Sequence, residues 1–195
     1  MPTGVALRDA REQLFAAAER VLLRDGANAL TSRAVTTEAG VAKGLVHRHF
    51  ADFDEFLTEF VLDRIGRIEI QAAVLRDSAG TGSVVAHLTR ALTDLFGSIA
   101  LRIVGLVISR DAVRTRLREL TGGGVPVLRE ATRMISTYLT AERERGRIAA
   151  EADIDTLAPT LIGAAHLLFA DREAASPAPA DVEKVVTAVI ADAVT

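Results

Sequence analysis

Apolar residues recur with a helical period along almost the whole chain, and no segment sustains the alternation of a half-buried strand. Leu14, Phe15, Ala18, Val21 and Leu22 form one stripe of a helix expected over residues 7–24, with Gly26 just beyond it where a left-handed cap is wanted. Thr31 offers a hydroxyl N-cap to a second, short helix ending at Gly40, and Leu30 and Val35 are spaced as a hydrophobic staple. A third short helix is expected over residues 42–50. Asp52, followed three residues later by Glu55, signals the start of a long fourth helix over residues 52–76, because carboxylates suit a helix N-terminus.

A polar, glycine-bearing break over 77–83 precedes helical stretches at 84–96, 98–109 and 112–120. Gly122, Gly123 and Gly124 interrupt the pattern, which resumes over 127–145. In a helix expected over 154–170, Leu157, Leu161, Ala164 and Leu168 share a face; over 180–194 the shared face is Val182, Val185, Val186, Val189, Ile190 and Ala193. The segment 172–179 holds Pro177 and Pro179 and cannot be helical throughout. The pattern is therefore all-α: an N-terminal three-helix head joined by a long helix to a C-terminal helical bundle.

Composition narrows the function classes. With 195 residues and 49% hydrophobic content, the chain can bury a core as one domain or two small ones. The absence of Cys removes disulfides, Cys-based zinc sites and thiol nucleophiles, and fits a reducing, cytoplasmic setting. Residues 1–11 contain no apolar core of a signal peptide. The longest apolar stretch, 99–108, is interrupted by Arg102 and falls short of the ~20 residues a membrane helix needs, so no membrane partner is expected. No Gly-x-x-x-x-Gly-Lys-Ser/Thr loop and no His-Glu-x-x-His occurs, so no catalytic residue and no cofactor is assigned. Charge is uneven: residues 1–50 carry seven basic and five acidic side chains, while the whole chain has a net charge of −3. A mildly basic head on an acidic body is compatible with binding nucleic acid.

Residues 31–50 carry the chemistry. Two short helices meeting at Gly40, which reaches positive φ cheaply, match a helix-turn-helix. Val35, Ala39, Val41, Val46 and Phe50 would bury the inner faces, leaving Lys43, Gly44, His47 and Arg48 on the opposite face. A cation, a gap for close approach, an imidazole and a guanidinium suit phosphate oxygens and base edges in a major groove. Thr31 and Ser32 cap the helix, contact phosphate, or do both; Arg33 is as readily solvated as phosphate-bound; His49 packs or touches phosphate. A plain solvated face is the competing reading. A His47–His49 metal pair is disfavoured, because positions two apart point to different sides of a helix.

Ala39-Gly40-Val41, Lys43-Gly44 and His49-Phe50, preceded by Thr31 and followed by an acidic helix start and Leu57, resemble the tetracycline-repressor (TetR) family of bacterial transcription regulators. The resemblance covers roughly residues 8–68. It implies a helix-turn-helix DNA-binding domain over 8–68 and a domain over 69–195 that binds an effector and dimerises. The implied DNA contacts are Thr31, Ser32, Arg33, Lys43, Gly44, Leu45, His47, Arg48 and His49. Where the family usually has Tyr, a small polar residue, Ser and Lys, this chain has His47, Leu45, Ala42 and Phe53.

The implied homodimer interface is Leu157, Leu161, Ala164, Leu168, Val186, Val189 and Ile190. Two heads would then fit half-sites of a palindromic double-stranded operator spaced by whole turns of ~34–36 Å. Candidate effector contacts are Phe96, Met134 and Tyr138, with His87, Arg102 and His166 as polar anchors, among an apolar set that includes Leu167; they favour a small, mostly hydrophobic ligand. The implied function is a repressor released from its operator by that effector. The alternative is a helical adaptor that has lost specific DNA binding, for which Ala42 and Phe53 are the motivating departures.

Overall fold

The computed structural model describes residues 4–97, 99–123, 125–170 and 176–195, with side chains from Ala10 onward. The described residues form ten α-helices and one 3-10 turn joined by turns and loops, and contain no strand. The helices are α1 (Gly4–Asp25), α2 (Ser32–Glu38), α3 (Leu45–His49), α4 (Phe53–Asp77), α5 (Val84–Phe96), α6 (Ala100–Ser109), α7 (Asp111–Thr121), α8 (Leu128–Arg143), α9 (Ile154–Phe169) and α10 (Pro179–Ile190). The all-α expectation holds. Contacts divide the chain into two compact units: Met1–Arg64 with Arg102–Gly123, and Ile65–Leu101 with Gly124–Thr195. Helices α4 and α6 each contribute to both units.

In the first unit, α2 and α3 have only seven and five residues. Isolated helices below ~12–15 residues are marginal in water, so these two exist through packing and caps. Thr31 Oγ1 accepts the Ala34 N–H at 3.1 Å, and the stapling pair Leu30 and Val35 is fully buried. Gln13 on α1 donates to the Ala39 carbonyl at the end of α2 (3.0 Å), and Gly40 turns the chain at φ 67°. Arg20 and Arg24 both grip Glu38, at 2.7 and 2.9 Å, and hold its carboxyl below the usual range, Arg20 contributing most.

Phe15, Phe50, Phe56 and Phe60 pack with ring centroids 5.1–6.1 Å apart and join α1, the end cap of α3 and α4. Such pairs add about 0.5–1.5 kcal/mol each beyond area burial. Arg64, 4% exposed, closes this core. Its guanidinium pairs with Glu19 at 2.6 Å and with Asp63, and lies over the Phe60 ring.

The second unit is built on longer helices. Leu88, Leu92 and Leu95 of α5, Ile135 and Leu139 of α8, Leu161 and Ala165 of α9, and Val182 and Val186 of α10 are all buried. Ser83 caps α5 and Asp153 caps α9 through side-chain oxygens.

Several boundaries differ from the pattern. Helix α3 starts at Leu45 rather than at residue 42: Ala42 has no side-chain acceptor, and the Leu45 N–H closes only a single turn onto the Ala42 carbonyl (2.9 Å). Helix α10 stops at Ile190 instead of reaching residue 194. The chain turns there so that Ala149 N–H reaches the Ala193 carbonyl (2.8 Å) and Ile148 bridges to Val194. Residues 98, 124 and 172–175, placed in a helix, a break and a linker by the pattern, lie outside the described residues.

Candidate functional site

The α2–α3 pair presents Thr31, Arg33, Lys43, Gly44, His47 and Arg48 as exposed side chains or backbone, with Ser32, Leu45 and His49 half-buried. Val35, Val46 and Phe50 are buried, while Ala39 and Val41 are only half-buried, a shallower seat than the pattern predicts. Arg48, two residues beyond buried Val46, points away from the core. Because α3 starts at Leu45, Lys43 and Gly44 are offered from the turn before the helix and not from its face. The His49 ring meets Phe50 edge-on at 6.5 Å. Thr36, which the pattern did not single out, is buried and donates to the Ser32 carbonyl at 2.9 Å, fixing the first turn of α2.

Two residues beyond the end cap of α3, Asp52 Oδ1 accepts the Glu55 N–H at 2.7 Å, and the Glu55 carboxylate accepts the Ala51 N–H. Arg116 of α7 clasps Asp52 with both ends of its fork, at 2.7 and 2.6 Å. That clasp, more than the backbone bond, drives the Asp52 carboxyl far below its ordinary range, and Asp52 in turn raises Arg116. Phe53 stacks on Phe56 at 5.5 Å, under the guanidinium of Arg110. Arg110 also donates to the Leu30 carbonyl at 2.9 Å, immediately before Thr31, and lies 3.6 Å from Asp54. Sequence reasoning missed Arg110 and Arg116. The available signal was the charge of 102–123, five arginines against Asp111 and Glu119.

The second unit holds a groove of about 420 Å³ lined by Ile70, Gln71, Val74 and Leu75 of α4, Ser78, His87, Arg90, Ala91 and Asp94 on or before α5, and Met134 of α8. Ile70 and Val74 are each 68% exposed, so its outer wall is apolar surface facing solvent. Behind His87 runs a buried polar chain. Tyr138 donates to Glu142 Oε1 at 2.6 Å, and the Gly80 N–H reaches Oε2 at 3.1 Å. Burial, followed by the bond to Glu142, pushes the Tyr138 hydroxyl pKa up. Tyr138 spends its proton on Glu142 and Ser78 spends its own on the Leu75 carbonyl (2.6 Å), so His87 Nδ1, 3.0 Å from the Tyr138 oxygen, must carry the hydrogen between them.

Of the effector candidates, His87 and Met134 line this groove and Tyr138 lies buried behind His87. Phe96 and His166 belong instead to α5–α9 packing, where Phe96 meets His166 edge-on at 6.1 Å and stacks on Phe169 at 6.0 Å. Arg102 falls in the first unit, and Leu167 is 76% exposed on α9. Of the interface candidates, Leu161, Val186 and Ile190 are spent on the internal core. Leu157, Ala164, Leu168 and Val189 are half-buried and remain available.

Residues 14–60 match the sequence profile of a family described as bacterial regulatory proteins, tetR family. An uncharacterized HTH-type transcriptional regulator of Haemophilus influenzae is 38% identical over 55 residues, and the match spans 28% of this chain but only 29% of that relative's length. Among solved structures, a TetR-family transcriptional regulator from Agrobacterium tumefaciens superposes with a TM-score of 0.73 at 14% identity, over 97% of this chain and 100% of the other. FadR from Bacillus subtilis, solved in complex with stearoyl-CoA, gives 0.68 at 17% identity, over 92% and 97%. Likeness at these identities is likeness of fold.

Proposed function

We propose that the chain, whose residues 14–60 match the tetR family of bacterial regulatory proteins, is a cytoplasmic, homodimeric transcriptional regulator that binds double-stranded DNA and releases it on binding a small effector. The observation that carries the proposal is the exposed set Lys43, His47 and Arg48, held outward while Val46 and Phe50 anchor the same short element in the core. Lys43 and Arg48 take phosphate oxygens or base edges, and Thr31 and Ser32 add contacts at the start of α2. The half-buried residues of α9 and α10, with exposed Leu167 beside them, supply the homodimer face. Two heads then engage a palindromic operator, and repression is the outcome on family grounds.

The groove on α4 and α5 is the effector site. Its apolar walls favour a mostly hydrophobic ligand, and the stearoyl-CoA bound by a protein of the same fold supports that class. Because α4 contributes to both units, a ligand on its C-terminal half can bias the head; a coupling of about 1–3 kcal/mol changes operator affinity ~5–150-fold.

The test is a salt titration of binding to a duplex selected from a random pool by the wild-type protein. Log affinity is expected to fall with log salt by about 0.9 per phosphate contact. Lys43→Ala with Arg48→Ala is expected to weaken binding about a hundredfold and flatten that slope, with helical content unchanged, as cost and slope scale with the contacts removed. Affinity indifferent to salt, or to the double substitution, overturns the proposal.

A further inference from the structure

We infer that α7 and the residue before it supply the charge balance of the DNA-binding head, Arg116 and Arg110 neutralising Asp52 and Asp54 beside α3 so that the recognition face is cationic in sum. The inference rests on the DNA-binding reading. The start of α4 needs acids for its own stability: Asp52 and Glu55 cap it reciprocally, and carboxylates there oppose the helix dipole. DNA binding needs the reverse. Asp52 is three residues from His49, at most ~11 Å of chain, which is about one Debye length at 0.1 M salt. A duplex seated on α3 therefore feels these carboxylates.

Residues 1–64 alone hold more acidic than basic side chains, and segment 102–123 reverses the sign of the unit. It does so at specific sites. The Arg116 fork covers both oxygens of Asp52, while Arg110 lies beside Asp54 and is fixed by the Leu30 carbonyl and the Phe53 ring. Arg11 performs the same service for Glu59 from α1. The conflict between a helix that wants acids and a ligand that repels them is settled by arginines borrowed from a distant stretch of chain.

Affinity for the selected duplex distinguishes this masking from a phosphate contact or a bridge of purely structural value. Arg116→Ala is expected to lose about fivefold at ~0.1 M salt and less at ~0.5 M, as screening of the bared charge grows. Adding Asp52→Asn is expected to restore most of the loss, because Asn caps as well as Asp and carries no charge. Arg116→Lys, which keeps the charge, is expected to bind nearly as the wild type, and circular dichroism checks that all variants are folded. Wild-type affinity in Arg116→Ala overturns the inference, and so does failure of Asp52→Asn to rescue it. A wild-type protein that selects no duplex at all overturns the underlying reading instead.

Discussion

The two units are stabilised in different ways. The first has helices too short to stand alone, and it is laced by long-range polar ties: Gln13 to Ala39, Arg20 and Arg24 to Glu38, Arg64 to Glu19, Arg116 to Asp52. The second has helices of twelve to sixteen residues in α8, α9 and α10, a mostly aliphatic core, and buried polar groups that include the pair Tyr138 and Glu142. A domain that must expose a cationic face on small elements cannot afford a wide apolar seat, so directional bonds substitute for area. The longer helices of the second unit rely on buried area, and the Tyr138–Glu142 pair lies behind His87 of the groove.

That contrast makes unequal demands on single substitutions. The largest expected effect is Arg64→Ala, which removes a buried guanidinium from its pair with Glu19 and from the Phe60 ring and opens the aromatic core, at a cost of about 3 kcal/mol. Glu142→Ala in the second unit, which strands the Tyr138 hydroxyl and the Gly80 N–H, costs about 2 kcal/mol. Urea unfolding measures both, and a larger loss at Glu142 would reverse the contrast. Thr31→Ala comes next, with about 1 kcal/mol lost from the cap of α2. A shift in midpoint smaller than the error of the measurement would mean that packing of Val35 alone sustains that helix.

The smallest expected effect is a pH dependence. The Asp52 carboxyl is held below its ordinary value of 3.8, so its contribution to stability is present above that value and is lost as pH falls through the lower folded one. The difference in melting temperature between wild type and Arg116→Ala should stay constant from pH 7 to about pH 5, where Asp52 is ionised folded or unfolded, and close only in stronger acid. A gap that changes between pH 5 and 7 would assign the clasp to another group.

Local signals were legible in the sequence. Thr31 capping Ala34, Asp52 capping Glu55 and Gly40 turning with positive φ all involve partners within three residues or a single backbone angle. The exposed cations of the turn and α3 followed from the same short-range geometry. What could not be read were partners set by tertiary approach. Arg116 finds Asp52 across 64 residues and Arg110 finds Leu30 across 80, and nothing in either residue's neighbourhood announces the other. Periodicity likewise gave the stripe Leu157, Leu161, Ala164 and Leu168 but not what covers it. Leu161 is fully buried and its stripe-mates are half-open, a distinction fixed by where α5, α8 and α10 lie. The start of α3 was misplaced because a helical period continues through Lys43 and Gly44 although no side chain caps a helix there.

The head is assembled from two separate stretches of chain, and this bears on domain swapping in the laboratory. A chimera that grafts residues 1–64 onto a foreign helical unit leaves Asp52, Asp54 and the Leu30 carbonyl without their arginines. On the proposed DNA-binding reading, such a graft imports α2 and α3 with the net charge of their unit inverted, and 102–123 has to travel with them.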